Sequence, residues 1–548
     1  MSTTETPTSE SVDRTPVENA DVWIVGSGPA GAHVAHVLAS EGHNVVVLDA
    51  GPRFDMESRV DRMKTQIHPD DPVTDIWDMG GERDAYTTSG EQEWAINERR
   101  VKGIGGTSLH WGSVTPRLRE EDFEMQTRNG VGVDWPISYS DLRPYYAEVE
   151  QEIGVAGPNE APHQPPREED YPMEGLDPSY TDQLFAEAGE ALDIDVQTLP
   201  MAINTGEYER SECQGYGTCQ YVCPSGAKYT AEIHADLAAE QGATIIDRVP
   251  VQRLEHGPDG EAVTEAVYVT PDGTEHRQQA DVFVAAAGAF ETPRLLLLSE
   301  SDQYPDGLAN SSGTLGRYFL DHPPAAVFGI LPERDTHQAE YGTVISSGIY
   351  EFYESDSERG SVNIMLINTA ETPLAERAIA SDDIGDALFE TIETQAGHGI
   401  GMTMNVEMLP DEDNRITLDE STTDDHGNPV LDLQLSAGEY ARNAMDQGLS
   451  AGEDLIEELG GTITYSDGNM TLDNPTGSQT GGYHPLGGTR MGTNPDESVV
   501  DENLKAHDLS NLYIASGGVF PTAGAANPTL TIMALARRCG EHIHENEL

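Results

Sequence analysis

The sequence predicts an α/β fold built on a Rossmann-like dinucleotide-binding unit, and three observations predict it. A glycine fingerprint lies between a short apolar strand and a helix. A second apolar strand near residue 283 runs into small residues and another helix. Between them and the C-terminal region, short apolar runs with strand rather than helix character recur from residue 325 to 435.

Residues 21–26, DVWIVG, form the first strand, GSGPAG the turn, and AHVAHVLASEGH a helix, and NVVVLDAG is a second strand ending in Asp49. Gly26 permits the tight turn and Gly28 lets backbone approach a pyrophosphate, while Gly31 lets helix and strand pack closely. The helix N-terminus favours phosphate. Asp49, 18 residues after Gly31, is placed to accept from a ribose hydroxyl. This pattern does not separate FAD from NAD. A second glycine-rich stretch, VKGIGGTSLHWGSVTPRL at 101–118, is interrupted by Gly103, Gly105 and Gly106, which suits backbone lying against a flat ligand. In DVFVAAAGAFETPRLLLLS, residues 281–299, a buried strand leads into a helix expected to start at Thr292 as N-cap with Pro293 at N1.

Thirty basic residues stand against 97 acidic ones, a net charge of −67. There are four lysines: Lys64, Lys102, Lys228 and Lys505. Acid spread along the whole chain disfavours nucleic acid and anionic membranes. Such a surface suits concentrated salt, where the Debye length falls to about 3 Å at 1 M, so a salt-accumulating, halophilic interior is expected. No apolar run approaches the ~20 residues of a membrane span. The first twenty residues show no export signal, so 1–19 read as a disordered lead and the chain as cytoplasmic, with co-export beside a signal-bearing partner as the alternative.

Cys213, Cys219 and Cys223 fall within eleven residues, spaced C-x5-C-x3-C-P. That is neither a zinc ribbon nor a bacterial ferredoxin run. Three close thiolates suit an iron–sulfur cluster lacking one cysteine ligand; a disulfide plus a spare thiol, or three core cysteines, are the alternatives. Cys539, near the C-terminus, is expected as a packed core thiol.

The stretches GSGPAG with LDAGP, IGGTSLHWGS, AAAGAFETPRLLLLS, LGRYFLDHP, NRITLDE, HPLGGTRMG and LYIASGGVFPTAGAANPTLTIMALARR, in this order, resemble the glucose–methanol–choline (GMC) oxidoreductase family. The cysteine triplet is similar to that of the flavoprotein subunits of bacterial glucose, fructose, sorbitol and gluconate dehydrogenases, which implies a [3Fe-4S] cluster. The resemblance implies a discontinuous FAD-binding domain at 20–150, 225–325 and 475–548, and an excursion with the cysteine segment at 151–224. It also implies an inserted substrate domain at 326–474 on a mostly antiparallel sheet, matching the runs AAVFGIL, GTVISSGIY, SVNIMLIN, GIGMTMNVEML, NRITL and VLDLQL.

By the same resemblance His484 is the catalytic base and Asn527 its partner. Gly105, Gly106, Thr107, His110, Gly288, Gly517, Gly518, Pro528 and Thr529 line FAD with the fingerprint residues. His110 stands where some members bond the flavin covalently. His322 in LDHP is expected to be structural. Ser516 replaces a frequent aspartate, and Gly488-Thr489 a frequent Thr-Cys, so contacts near FAD and His484 differ. The implied enzyme oxidises a polyol, sugar or sugar acid by hydride transfer to FAD, beside a small companion subunit and with a cytochrome- or quinone-type acceptor. A pyranose-oxidase-like oxidase, a choline-type enzyme and a non-catalytic flavin electron-transfer protein are the alternatives.

Overall fold

The strand Val22–Val25 is the middle of five parallel strands, ordered Leu512–Ile514, Val282–Ala285, Val22–Val25, Val45–Leu48, Thr244–Ile246. The structure is a computed structural model that describes residues 12–55, 57–66, 73–90, 94–206, 208–332, 342–368, 383–395, 397–468 and 482–548. The three central strands are apolar throughout and fully buried, as a parallel sheet covered on both faces requires. Three distant stretches of chain therefore build one sheet. Helix Pro29–Ser40 follows the first strand, with Gly28 as N-cap and proline in its first turn. Helix Thr529–Asn546 packs along it, and Cys539 on that helix is 1% exposed, inside the core.

The helix after Val282–Ala285 spans Gly288–Leu298, so Thr292 is not its N-cap. Gly288 takes φ +76°, which turns the chain directly from strand into helix. Thr292 is consequently inside the helix and fully buried, and Pro293 forgoes the bond to the Ala289 carbonyl.

A second sheet has six strands, each antiparallel to its neighbours. Their order is Thr462–Asp467, Pro324–Ile330, Gly399–Val406, Val362–Ile367, Ile345–Ile349, Gln197–Thr198. Helix Gly438–Glu458 covers one of its faces. The NRITL and VLDLQL runs form strands Arg415–Thr423 and Pro429–Gln434, but outside this sheet. They pair with each other and, in parallel, with Tyr86–Thr88. The Thr87 hydroxyl and Asp432 carboxylate fix that register at 2.9 Å. Alternation marks a strand but does not name its partner.

Of the 1–19 lead, residues 1–11 lie outside the described residues; part of the substrate region, 333–341, 369–382 and 469–474, lies outside them as well. Arg14 pairs with Asp247 at 2.5 Å, and Val17 exchanges two backbone bonds with the Gln278 amide at 2.8 Å. In the 151–224 excursion, Ser179 and Asp182 make a capping box for helix Tyr180–Leu192. Several of the scarce cations are inside: Arg117 meets Glu150 in a two-pronged pair in which both side chains are 1% exposed.

Candidate active site

The two glycine-rich segments meet beyond the end of Val22–Val25. Gly106 has φ +54°, and a Cβ there would lie 2.8 Å from the Gly28 Cα. Gly31 is packed just as closely, since a Cβ on it would fall 2.0 Å from the Gly26 carbonyl oxygen. The Gly105 N–H donates to the Ser27 carbonyl at 3.2 Å, tying the loops together. The result is a cradle of bare backbone at a helix N-terminus, which a single methyl group would fill. Asp49 is 5% exposed; its Oδ2 accepts from the Ser27 N–H at 3.0 Å and hydroxyl at 2.6 Å, and its Oδ1 from the Gly51 N–H at 3.0 Å. It braces the fingerprint loop.

Thr107 sits in the turn Gly106–Leu109 and accepts from the His110 N–H at 3.2 Å. His110 is buried, and its Nε2 has no partner among the described residues. Burial, with the Lys228 charge, drives its pKa down to about 3, so the ring is neutral. Its edge faces the Tyr483 ring at 6.2 Å, which brings the glycine segment to the loop carrying His484. Gly288 opens its helix onto free space. In the turn Gly517–Val519, Ser516 accepts from the Gly518 N–H at 3.1 Å and acts as the cap. Pro528 and Thr529 begin helix Thr529–Asn546, immediately after Asn527.

The loop of His484 is laced on both sides. Leu486 and Leu320 exchange backbone bonds at 2.8 Å, and Thr489 donates to the Gly518 carbonyl at 2.9 Å. Asp321 Oδ1 accepts the backbone N–H groups of both His322 (2.7 Å) and His484 (3.0 Å). The two imidazoles then meet, Nδ1 to Nδ1, at 2.9 Å. Asn527 Nδ2 lies 3.2 Å from His484 Nε2, and Asn363 Nδ2 reaches Asn527 Oδ1 at 3.5 Å.

This chain assigns the protons. An amide N–H from Asn527 requires a lone pair on His484 Nε2, so the His484 proton is on Nδ1 and donates to His322. His322 then carries its proton on Nε2, which has no hydrogen-bond partner among the described residues, and burial holds its pKa down at about 4 although the backbone of Ala523 and Gly524 pulls it up. Burial, reinforced by His322, holds His484 well below the usual histidine value. The site thus presents a neutral imidazole whose Nε2 lone pair faces an amide donor.

His322, expected to be structural, stands directly against His484. Asp321, Asn363 and Tyr483 were not anticipated at all. His322 and His484 are 162 positions apart, and no local pattern joins them.

The three clustered cysteines are free thiols on an irregular loop, Cys219 buried and the others half-buried. The Cys219 thiol feels the charges of both Cys213 and Cys223, and burial pushes it up to about 11. Burial alone would raise Cys223 too, but the backbone N–H groups of Lys228 and Ala227, the Ser225 hydroxyl and the Lys228 charge bring it below the usual thiol value. A cleft lined by Phe54, Arg62, Trp77, Cys223, Lys228 and Glu232 opens beside this loop, away from His484 and Asn527.

His33, His234 and Glu152 also bring ligand-type atoms together. The two imidazoles stack at 3.9 Å with planes 17° apart. No point near both Nε2 atoms lies in both ring planes, so this trio is not a preformed metal centre.

Two family profiles described as GMC oxidoreductase match the chain, one over residues 24–324 and the other over 410–536. The chain belongs to the GMC oxidoreductase family. As such it is an FAD-dependent enzyme acting on CH–OH groups of alcohols or sugars. It is 34% identical over 543 residues to the fructose dehydrogenase large subunit of Gluconobacter japonicus, covering 96% of this chain and 98% of that protein. It is 29% identical to 2-methyl-1,2-propanediol dehydrogenase of Mycolicibacterium austroafricanum, covering 96% of each. The structure of pyridoxine 4-oxidase from Mesorbium loti shares the fold, with TM-score 0.66 at 18% identity over 97% of this chain and 100% of that one.

The backbone cradle at Gly28 and Gly106 fits the pyrophosphate of FAD. A Gly106→Val variant of this GMC enzyme should purify with less than about a tenth of the parent's flavin, because the added carbons occupy the cradle at a positive φ. Flavin absorbance per protein measures it, and full loading would contradict the placement.

Proposed function

We propose that this GMC enzyme is a dehydrogenase of polyols, sugars or sugar acids that delivers electrons to an acceptor other than oxygen. The oxidation is carried by the His484–Asn527 pair, with a neutral Nε2 next to an amide donor, and the non-oxygen acceptor by the three clustered cysteines. A substrate hydroxyl entering between them would give its proton to Nε2 while its oxygen accepts from the Asn527 amide. FAD, when bound, supplies the two-electron acceptor for the hydrogen leaving carbon. His110, buried with an unpaired Nε2, is read as the flavin's neighbour, by contact or by covalent bond.

Cys213, Cys219 and Cys223 are the proposed ligands of a [3Fe-4S] cluster. Their place on one irregular loop and the N–H groups directed at Cys223 support this, since such bonds favour thiolate at Cys223, while burial raises Cys213 and Cys219 in the absence of a metal. A cluster, when bound, supplies a one-electron exit to a cytochrome- or quinone-type acceptor. A small companion subunit is proposed because the Gluconobacter relative is named a large subunit. Among the described residues no helix is long and apolar enough to cross a membrane. Cytoplasmic residence in a salt-rich interior remains our reading of the −67 charge.

The test is anaerobic reduction of the purified flavin in molar salt by D-fructose, D-gluconate and 2-methyl-1,2-propanediol. It is followed by turnover with ferricyanide or oxygen. Turnover with ferricyanide and little hydrogen peroxide is expected; rapid peroxide formation would favour the oxidase reading drawn from GGTSLHW. A Cys219→Ser variant should lose iron and acid-labile sulfide while keeping flavin that the substrate still reduces. Iron retained at the parent level would overturn the ligand assignment.

A further inference from the structure

Lys228 is buried to 2% exposure, and its ammonium has three N–H groups and three acceptors. Nζ donates to the carbonyls of Leu109 and Trp111 at 3.0 Å each, and to that of Cys219 at 2.6 Å. Leu109 and Trp111 are the residues on either side of His110. One side chain thus grips the backbone around His110 with two bonds and the cysteine loop with the third. Neighbouring bonds align the same two strips: Trp111 Nε1 donates to the Tyr229 carbonyl at 2.8 Å, and the Ala231 N–H to the Ser108 hydroxyl at 2.8 Å. Neither of these reaches the cysteines.

Burying an ammonium is expensive unless each proton is bonded, and a methionine would fill the same space without a charge. What methionine lacks is the three-way tie and the positive charge between His110 and the thiolates. We infer that Lys228 is a positioning residue that fixes the His110 segment and the cysteine loop at one separation, and so sets how readily electrons pass from the flavin side to the iron side. This rests on the reading of His110 and of the three cysteines given above.

The test compares holoenzyme purified anaerobically in molar salt with its Lys228→Met and Lys228→Arg variants. Iron and flavin content, the cluster's midpoint potential by EPR-monitored titration, and two rates are measured. The rates are flavin bleaching by the best substrate of the panel, and ferricyanide reduction. For Lys228→Met we expect bound iron and bleaching within about threefold of the parent, but ferricyanide reduction slower by at least ~10-fold, as loss of alignment predicts. Its cluster potential should be lower, since a cation that favours the reduced form is gone. Lys228→Arg should lie between, because a planar guanidinium cannot aim at three diverging carbonyls. Iron-loaded Lys228→Met with the parent's potential and ferricyanide rate would overturn the inference, as would both rates falling equally. If Lys228→Met does not fold, parent-like values in Lys228→Arg overturn it. An iron-free parent would remove the cysteine reading and this inference together; an iron-loaded parent with an indifferent variant removes the inference alone.

Discussion

Replacing His484 with alanine is expected to slow substrate-driven flavin reduction by about 10²–10⁴-fold, the usual worth of a positioned general base. Flavin content should be unchanged, because the residues assigned to the cradle, Gly28 and Gly106, are elsewhere. The environment also sets a pH signature. Burial, then His322, holds His484 well below the ordinary histidine value, so Nε2 stays unprotonated through neutral pH and into mild acid. The kcat/KM profile should therefore lack an acidic limb near 6.5 and fall only at lower pH. A stopped-flow series in molar salt measures both effects. A variant that reduces flavin at the parent rate would remove His484 from catalysis, and a limb at 6.5 would mean that its imidazole is solvated.

The second large effect is on stability. Burial keeps His33, His110, His234, His322 and His484 neutral, with His110 and His234 down at about 3 and His322 at about 4. In the unfolded chain each would take a proton below about 6.5. The unfolded state then binds more protons, so each such histidine contributes stability above pH 6.5 and withdraws it as pH falls, by about 1.4 kcal/mol per pH unit.

Buried carboxyls act in the opposite sense. Burial raises Asp122 to about 8, with Glu407 adding to it, and Asp321 to about 7. Their native protons favour folding as pH drops. Burial raises Asp49, Asp182, Glu232 and Glu407 in the same sense, so these carboxyls offset part of the histidine effect, and each unbalanced histidine costs about 1.4 kcal/mol per pH unit against a typical total of about 5–15 kcal/mol. Urea unfolding in molar salt, where surface repulsion is screened, should show midpoints falling sharply from pH 6.5 towards pH 5. Constant or rising midpoints would mean that these rings are not buried neutral.

Local spacing made part of this molecule legible. The turn GSGPAG between two apolar strands needs only neighbouring residues to form, and the structure shows it as the centre of the parallel sheet. Thr292-Pro293 misled because a threonine before proline is an N-cap only where the chain is not already helical, and Gly288 had started the helix one turn earlier. NRITL and VLDLQL were readable as strands, but their partner Tyr86–Thr88 lies far upstream and carries no label. The same limit hid the meeting of His322 with His484, and of Lys228 with the carbonyls flanking His110. Each is a long-range contact between residues of ordinary local character. Spacing along a chain records local geometry, whereas these juxtapositions are products of topology.

The order of strands in the parallel sheet has a consequence for biosynthesis. Val282–Ala285 is flanked by Val22–Val25 on one side and by Leu512–Ile514 on the other. During translation its outer edge stays unpaired until residues 512–514 have emerged from the ribosome. Helix Thr529–Asn546, which covers Pro29–Ser40, arrives later still. A nascent chain of this kind carries an exposed apolar edge for most of its synthesis, a state prone to pairing with other chains.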